Sequence, residues 1–155
     1  LNAPLLDAIS AAALAKISFF RPQNLSNTAW SLATLGVRNT PLLTAIASAA
    51  IRKMSSFEDH VQNLSNTVWA FSSRQVANPT LMASISAAAI RRLQDFDQQA
   101  LSNTAWAFAK LGFQDEPLLQ AIASESLRKM KDFDGQNIAN MAWSFAVLKM
   151  TNVPL

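Results

Sequence analysis

The chain has 155 residues, half of them apolar and 15% charged, and its formal net charge is +3. So high an apolar fraction excludes a disordered tail, and so low a charge excludes a polybasic arm. The absence of cysteine excludes a disulfide framework, a cysteine-ligated zinc site and a thiol nucleophile. No apolar run approaches the ~18 residues that a membrane-spanning helix needs, so we expect no contact with a membrane.

The chain opens with a sequence segment that recurs along the chain. Each copy predicts a helix, which we call helix B. Its second copy follows Thr40, and there Leu42, Ile46 and Ala50 share one apolar face. Thr40 and Pro41 predict the cap and the first residue of that copy. The copies begin at Pro4, Pro41, Thr80 and Pro117, and each closes on a phenylalanine, at Phe20, Phe57, Phe96 and Phe133.

A second recurring segment, which ends on tryptophan, follows each helix B. It predicts another helix, which we call helix A. In its first copy Leu25, Ala29 and Leu32 form an apolar face, Pro22 suits the first turn and Gly36 suits a left-handed stop. The tryptophans of the four copies are 39, 37 and 37 residues apart, a period that is typical of stacked helical repeats. The copies are nearly the same octapeptide: Gln23–Trp30, Gln62–Trp69, Gln99–Trp106 and Gln136–Trp143.

The predicted order is one helix B, three A–B pairs and a last helix A. One such pair cannot bury its own apolar face, so neighbouring pairs must stack into a continuous core. We therefore predict an all-α protein, an α-solenoid of stacked antiparallel helix pairs that forms a single array. Because neither end carries a polar capping repeat, we expect a fragment of a longer array. Its segments are a truncated repeat, three full repeats and a second truncated repeat, at 1–20, 21–57, 58–96, 97–133 and 134–155.

The sequence offers little for catalysis. Its single histidine, His60, has no second ligand at metal-binding spacing, and Asp97 and Asp134 have the spacing of helix N-caps. Neither a phosphate-binding glycine loop nor a nucleophile with a neighbouring base is present. We expect a protein that is not an enzyme and that uses no cofactor and no metal.

The tryptophans have two interpretations. Exposed rings could stack on unpaired bases, whereas buried rings would fill the core between repeats. Because each ring occupies the same register in its repeat, core packing is the interpretation that we favour.

An asparagine stands three residues before each tryptophan, at Asn27, Asn66, Asn103 and Asn140. Asparagine is unfavourable inside a helix, so four in register indicate a shared task. Either the amide bonds an adjacent helix or repeat, or it faces a groove and offers a donor and an acceptor to RNA. Positions on the same face that vary between repeats could then discriminate bases: Asn24/Asn63/Ala100/Asn137, Ser31/Ala70/Ala107/Ser144 and Thr34/Ser73/Lys110/Val147.

Each helix B also places a cation in the register of its apolar face near its end, at Lys16, Lys53, Arg92 and Lys129. Such a side chain must extend past the end of the helix toward a negative group. Carbonyls of a neighbouring helix could supply that group, and so could a phosphate of a nucleic acid.

The segment Leu101–Gly112, with the sequence LSNTAWAFAKLG, resembles the octotricopeptide repeats of algal and protist organelle proteins and the related 37-residue repeats found beside RAP domains. The resemblance covers essentially the whole chain, although the Pro-Pro-Pro-Glu-Trp stretch of many members is missing. It implies an α-solenoid that binds single-stranded organellar RNA, in a chloroplast or a mitochondrion. It further implies action in RNA maturation, stability or translation.

Under this resemblance helix A lines the binding face and each repeat takes about one base. The implied RNA-contacting residues are the four asparagines and their neighbours: Asn27, Asn66, Asn103, Asn140, Asn24, Asn63, Asn137, Ser31 and Ser144. The implied phosphate-binding residues are Lys16, Lys53, Arg92 and Lys129. Composition and spacing alone leave open the alternative of a scaffold for protein–protein interaction, with other proteins as partners.

Overall fold

All of the secondary structure is helical within residues 2–149, the part of the chain that the computed structural model describes. Across this part, no helix combines the length and apolar character needed to cross a membrane. The helices of type B are α1 (Ala3–Lys16), α3 (Thr40–Arg52), α6 (Pro79–Arg92) and α8 (Glu116–Lys129). Those of type A are α2 (Pro22–Thr34), α5 (Val61–Ser73), α7 (Gln98–Leu111) and α9 (Gly135–Val147).

Short helical turns lead from each helix B into the next helix A. Three are 3-10 turns, at Ile17–Phe19, Leu93–Asp95 and Met130–Asp132, and the fourth is the short helix α4 (Met54–Phe57). The predicted all-α architecture, an α-solenoid of stacked helix pairs, is confirmed.

Capping residues set where the helices begin. Asp97 and Asp134 cap α7 and α9 as predicted, each accepting a backbone N–H bond at 2.7 Å. Helix α3 begins one residue earlier than predicted, because Asn39 rather than Thr40 is its N-cap. The cap of every helix B accepts a backbone N–H bond at 2.9–3.1 Å: Asn2, Asn39, Asn78 and Asp115.

The A helices end in a left-handed turn. Gly36 and Gly112 hold φ values of +74° and +72°, as the sequence predicts for a glycine stop. Gln75 and Lys149 take the corresponding positions with φ values of +54° and +52°, a conformation that strains a residue with a Cβ atom.

The A helices form one layer of the array and the B helices the other. The A helices pack against one another far more extensively than the B helices do, because small buried residues such as Ser26, Ala29 and Ala105 line their contacts. The A layer therefore provides most of the packing between successive repeats.

Candidate nucleic-acid interface

The four tryptophans lie at the surface of the A layer. Trp30 and Trp143 are 46% and 44% exposed, and the two inner tryptophans are half-buried and only rest on the core. The core is filled instead by Phe71 and Phe108, two residues after the inner tryptophans. The prediction that tryptophan fills the core is therefore wrong for Trp30 and Trp143, and the two inner rings lie only at the border of the core. Two residues turn a helix by about 200°, which puts the ring on the side opposite the buried phenylalanine.

Two neighbouring rings in this row approach each other. The ring centroids of Trp106 and Trp143 are 6.3 Å apart, with planes inclined by 39°. The Nζ atom of Lys110 lies 4.4 Å from the centroid of the Trp106 ring, in a cation–π contact. Proteins that bind single-stranded nucleic acid use such aromatic rows with cations beside them.

The asparagines that precede the tryptophans share this surface. Asn27 is exposed, and the other three are half-buried. Asn66 and Asn140 each accept a bond from a glutamine Nε2 atom one turn earlier in their own helix, at 3.0 and 2.9 Å. Within residues 2–149 none of the four amides bonds an adjacent helix, so their hydrogen-bonding capacity remains at the surface beside the tryptophans.

Neighbouring A helices are joined by a hydrogen bond to a different asparagine, which stands three residues before the member of that row in its own helix. The Oγ atom of Ser26 donates to Oδ1 of Asn63 at 2.8 Å, and that of Ser102 donates to Oδ1 of Asn137 at 3.0 Å. Both asparagines are buried, with exposures of 7% and 6%. The assignment of Asn63 and Asn137 to RNA contact is corrected accordingly, because these side chains join one repeat to the next.

The other residues predicted to select bases occupy the same contact between helices. Ser144 is fully buried and its hydroxyl donates to the carbonyl of Asn140 at 2.6 Å, so it too is not available to RNA. Asn24 and Ser31 hold the corresponding positions of α2 and are exposed, because no helix A precedes α2 among the described residues. Asn24 accepts the backbone N–H of Arg21 at 2.9 Å and so closes the start of its helix. Variation at these positions therefore reflects the stacking of repeats.

Three of the asparagine candidates meet at one polar pocket. It has a volume of about 330 Å³ and lies where α2 and α5 begin. Its lining consists of Gln23, Asn27, His60, Gln62, Asn63 and Asn66. In residues 2–149 no three histidine or carboxylate side chains lie close enough together to hold a metal ion.

The cations at the ends of the B helices are engaged by protein groups. The Nζ atom of Lys53 donates to the carbonyls of Ser18 and Phe20, both at 2.7 Å. Its side chain extends past the helix end as predicted, but backbone oxygens of the preceding turn receive the charge. The assignment of Lys53 to phosphate binding is corrected for that reason.

Lys129 repeats this contact two repeats further along. Its Nζ atom donates to the carbonyls of Gln94 and Phe96 at 2.7 and 2.6 Å and lies 3.2 Å from a carboxylate oxygen of Glu125. The assignment of Lys129 to phosphate binding is corrected on the same grounds, because three protein oxygens already surround its charge.

In the middle repeat an ion pair replaces the lysine contact. Arg92 bonds Asp95 at 2.7 Å, and this bond raises the pKa of Arg92 above its usual range. Its neighbour Arg91 bonds Glu58, which lowers the pKa of that carboxyl. Arg92 is thus also occupied, and of the four predicted phosphate ligands only Lys16 is exposed and without an ion pair within residues 2–149.

A second row of cations lies where the A helices end, and sequence reasoning missed it. None of its members forms an ion pair within the described residues. The row escaped notice because its members stand four, five, six or eight residues after their tryptophan, so no fixed register reveals them. We call it the basic edge; its residues are Arg38, Arg74, Lys110 and Lys149.

An apolar groove of about 690 Å³ lies between α8 and α9. Leu127, Met130, Ile138 and Met141 line it, and the first three are at least two-fifths exposed. Exposed apolar side chains of this size, gathered in one groove, are typical of a contact with another helix.

Comparison with known proteins corrects the family. No curated protein matches the chain. The family model of RNA-editing substrate-binding complex 6 protein, RESC6, matches residues 3–155. The resemblance to octotricopeptide repeats and RAP-associated repeats was therefore wrong, because period and helix pairing are shared by unrelated helical-repeat families. The chain belongs to the RESC6 family, the RNA-editing substrate-binding complex 6 proteins.

Proposed function

We propose that the chain binds single-stranded RNA along the A layer. The observation that carries this proposal is a row of surface tryptophans in register with uncharged amides on one face. Aromatic rings stack on any unpaired base, and amides both donate to and accept from base edges. We call this face the Trp–Asn surface; its residues are Trp30, Trp69, Trp106, Trp143, Asn27, Asn66, Asn103 and Asn140.

The family supports the ligand and the compartment. Its description names an RNA-editing substrate-binding complex, which supports an RNA ligand for this chain and a role in holding RNA during its maturation. RNA-editing complexes of this kind act in mitochondria, so of the two organelles considered we propose the mitochondrion. The role is one of binding without catalysis.

The basic edge is the proposed path of the RNA backbone. Lys110 lies over the ring of Trp106, so an RNA strand that reaches this part of the row brings a phosphate within reach of a cation. Arg38 donates through its Nη2 atom alone to the carbonyl of Gln75 at 2.9 Å, which fixes its guanidinium at the junction of α2 and α5 and leaves its other N–H groups for a phosphate. These cations replace the lysines of the B helices as the phosphate ligands that we propose.

Loss of two exposed tryptophans tests the proposal. Stacking on an aromatic ring contributes about 1–3 kcal/mol per base, so the variant Trp30→Ala/Trp143→Ala should bind a labelled single-stranded 12-mer RNA at least about thirtyfold more weakly. Fluorescence anisotropy at fixed salt measures this affinity. Replacement by phenylalanine at both positions should restore most of it, because the stacking plane is kept.

The matched control removes exposed apolar side chains from the B layer, with Leu5→Ala/Ile90→Ala. This variant should bind within about twofold of the unmodified chain, because its changes lie away from the Trp–Asn surface. Unchanged affinity of the folded tryptophan variant, or no saturable binding by the unmodified chain, would rule out the proposed function.

The apolar groove between α8 and α9 favours a second role, contact with an amphipathic helix of another protein in the complex. Two observations support this role: Ile138 and Met130 are exposed in the groove, and the family is described as part of an RNA-editing substrate-binding complex. The change Ile138→Asp should release protein partners from the assembled complex. It should leave the RNA affinity of the isolated chain within about twofold, and an equal loss of RNA affinity would contradict a separate protein-binding role.

A further inference from the structure

The polar pocket between α2 and α5 has an unusual lining. Five of its six side chains are uncharged amides and the sixth is the imidazole of His60. Such a lining offers donors and acceptors but presents no carboxylate among these six residues. It is suited to an uncharged planar ligand with hydrogen-bonding edges, and its volume of about 330 Å³ is ample for one nucleobase.

The pocket arises from a local change in the repeat. The segment between the closing phenylalanine and the next helix A is two residues longer after Phe57 than after Phe96 or Phe133. As a result His60 is the N-cap of α5, and its side chain makes no capping bond. At the two later junctions an aspartate takes the cap position and its carboxylate is used by the helix. Of these three junctions, only the first has a cap residue, His60, whose side chain makes no capping bond and lines the pocket instead.

The amides of the pocket are held in place before any ligand arrives. Ser26 bonds the Oδ1 atom of Asn63 at 2.8 Å, so this buried amide forms part of the pocket wall and is not one of the groups offered to a base. Gln62 donates to Asn66 at 3.0 Å, which orients both amides. Groups that are oriented in advance discriminate between ligands that differ in donors and acceptors, because the wrong edge leaves them unpaired.

We propose that this pocket takes up one unpaired base of the bound RNA and makes the α2–α5 junction the base-selective position of the array. The inference rests on the proposed RNA binding. The tryptophans stack on bases of any kind, so they supply affinity without discrimination. The pocket supplies the discrimination at a single position.

Four homo-oligonucleotide 12-mers of A, C, G and U test the inference by anisotropy at one salt concentration. For the unmodified chain the strongest and weakest should differ by at least about tenfold, the effect of one well-formed amide–base pairing. The variant Gln62→Ala/Asn66→Ala should reduce that ratio to about twofold and weaken the weakest oligonucleotide only as much as loss of one asparagine of the Trp–Asn surface does. The change His60→Ala, which lies outside the helix interior, should reduce the ratio in the same direction.

The matched control is Gln136→Ala/Asn140→Ala, which removes the same glutamine–asparagine bond in the same register of α9. The control should weaken all four oligonucleotides alike and leave their ratio unchanged. Equal affinities for all four in the unmodified chain, or an undiminished ratio in the pocket variant, would overturn the base pocket alone. Absence of any RNA binding would overturn the proposed function as well.

Discussion

A pair of residues, serine and asparagine, joins neighbouring A helices at two of the three A–A junctions. Ser26 bonds Asn63 and Ser102 bonds Asn137, and all four side chains are buried. Sequence reasoning took the asparagine for a base-reading residue because its partner lies 35 or 37 residues away. Capping aspartates such as Asp97 were predicted correctly, because the group that they bond lies only three residues along the chain.

Removal of one such asparagine should destabilise the array. In Asn63→Ala the buried hydroxyl of Ser26 loses its partner in the next helix, so we expect the free energy of unfolding to fall by about 1–2 kcal/mol. Urea denaturation measures the change. The control Asn66→Ala, one turn further at the surface, should change stability by less than about 0.5 kcal/mol. A second measurement in a Ser26→Ala background should show a smaller loss, and equal losses in both backgrounds would mean that the bond contributes nothing.

At the scale of the element, each helix A turns its predicted apolar face to the core, but its tryptophan lies outside that face. The periodic apolar face was predicted correctly for Leu25, Ala29 and Leu32, which are all buried. The tryptophan stands at the border of that face, where periodicity cannot decide between core and surface. The phenylalanine two residues later, Phe71 or Phe108, decides it. A tryptophan and a phenylalanine two residues apart point to opposite sides of a helix, so only one of them can enter the core.

The ends of α3 and α8 are each stabilised by a lysine that bonds the turn closing the preceding helix B, and Lys53 illustrates the size of this effect. Lys53 donates to two carbonyls, and bonds from a charged donor typically contribute about 1.5–3 kcal/mol. Because the site is partly exposed, we expect Lys53→Met to lower the free energy of unfolding by about 1–2 kcal/mol.

The adjacent exposed residue provides the control for this change. Arg52→Met removes the same charge one position away and should cost less than about 0.5 kcal/mol in urea denaturation. RNA affinity should be the same in both variants. A large loss of RNA affinity confined to Lys53→Met would return this lysine to phosphate binding.

At the scale of the whole molecule, the net charge of +3 conceals an unequal distribution. The edge where B helices end mixes cations with carboxylates that bond them, as Arg91 does with Glu58 and Arg92 with Asp95. The opposite edge, where A helices end and B helices begin, carries the basic edge, and the carboxylates on that side are Asp7, Asp115 and Glu116. The sequence predicts the number of charges but not this separation, which follows from the antiparallel packing of each helix pair. The assignment to octotricopeptide repeats was wrong at this same scale, because stacking imposes similar periods on unrelated repeat families.

Salt dependence of RNA binding should locate the phosphate contacts. Four contacts with single-stranded RNA give a slope of log affinity against log salt near −3. The variant Arg38→Gln/Arg74→Gln/Lys110→Gln should reduce its magnitude to about 0.7, because one contact of the four remains.

The control variant Lys16→Gln/Arg52→Gln/Lys131→Gln makes the same change of net charge at the ends of the B helices. Its slope should stay within about 0.5 of that of the unmodified chain, since those cations lie away from the basic edge. Equal slopes for the two triple variants would show that only total charge matters.

The middle of the A layer differs from its two flanks in one respect. Ala100 stands where Asn63 and Asn137 stand in the other repeats, so α5 and α7 meet through apolar packing without a serine–asparagine bond. The α5–α7 junction therefore packs as extensively as its two neighbours but lacks the buried polar bond that they have. Hydrogen bonds are directional whereas apolar contacts are not, so of the three A–A junctions this is the one at which neighbouring helices can shift relative to each other without breaking a serine–asparagine bond.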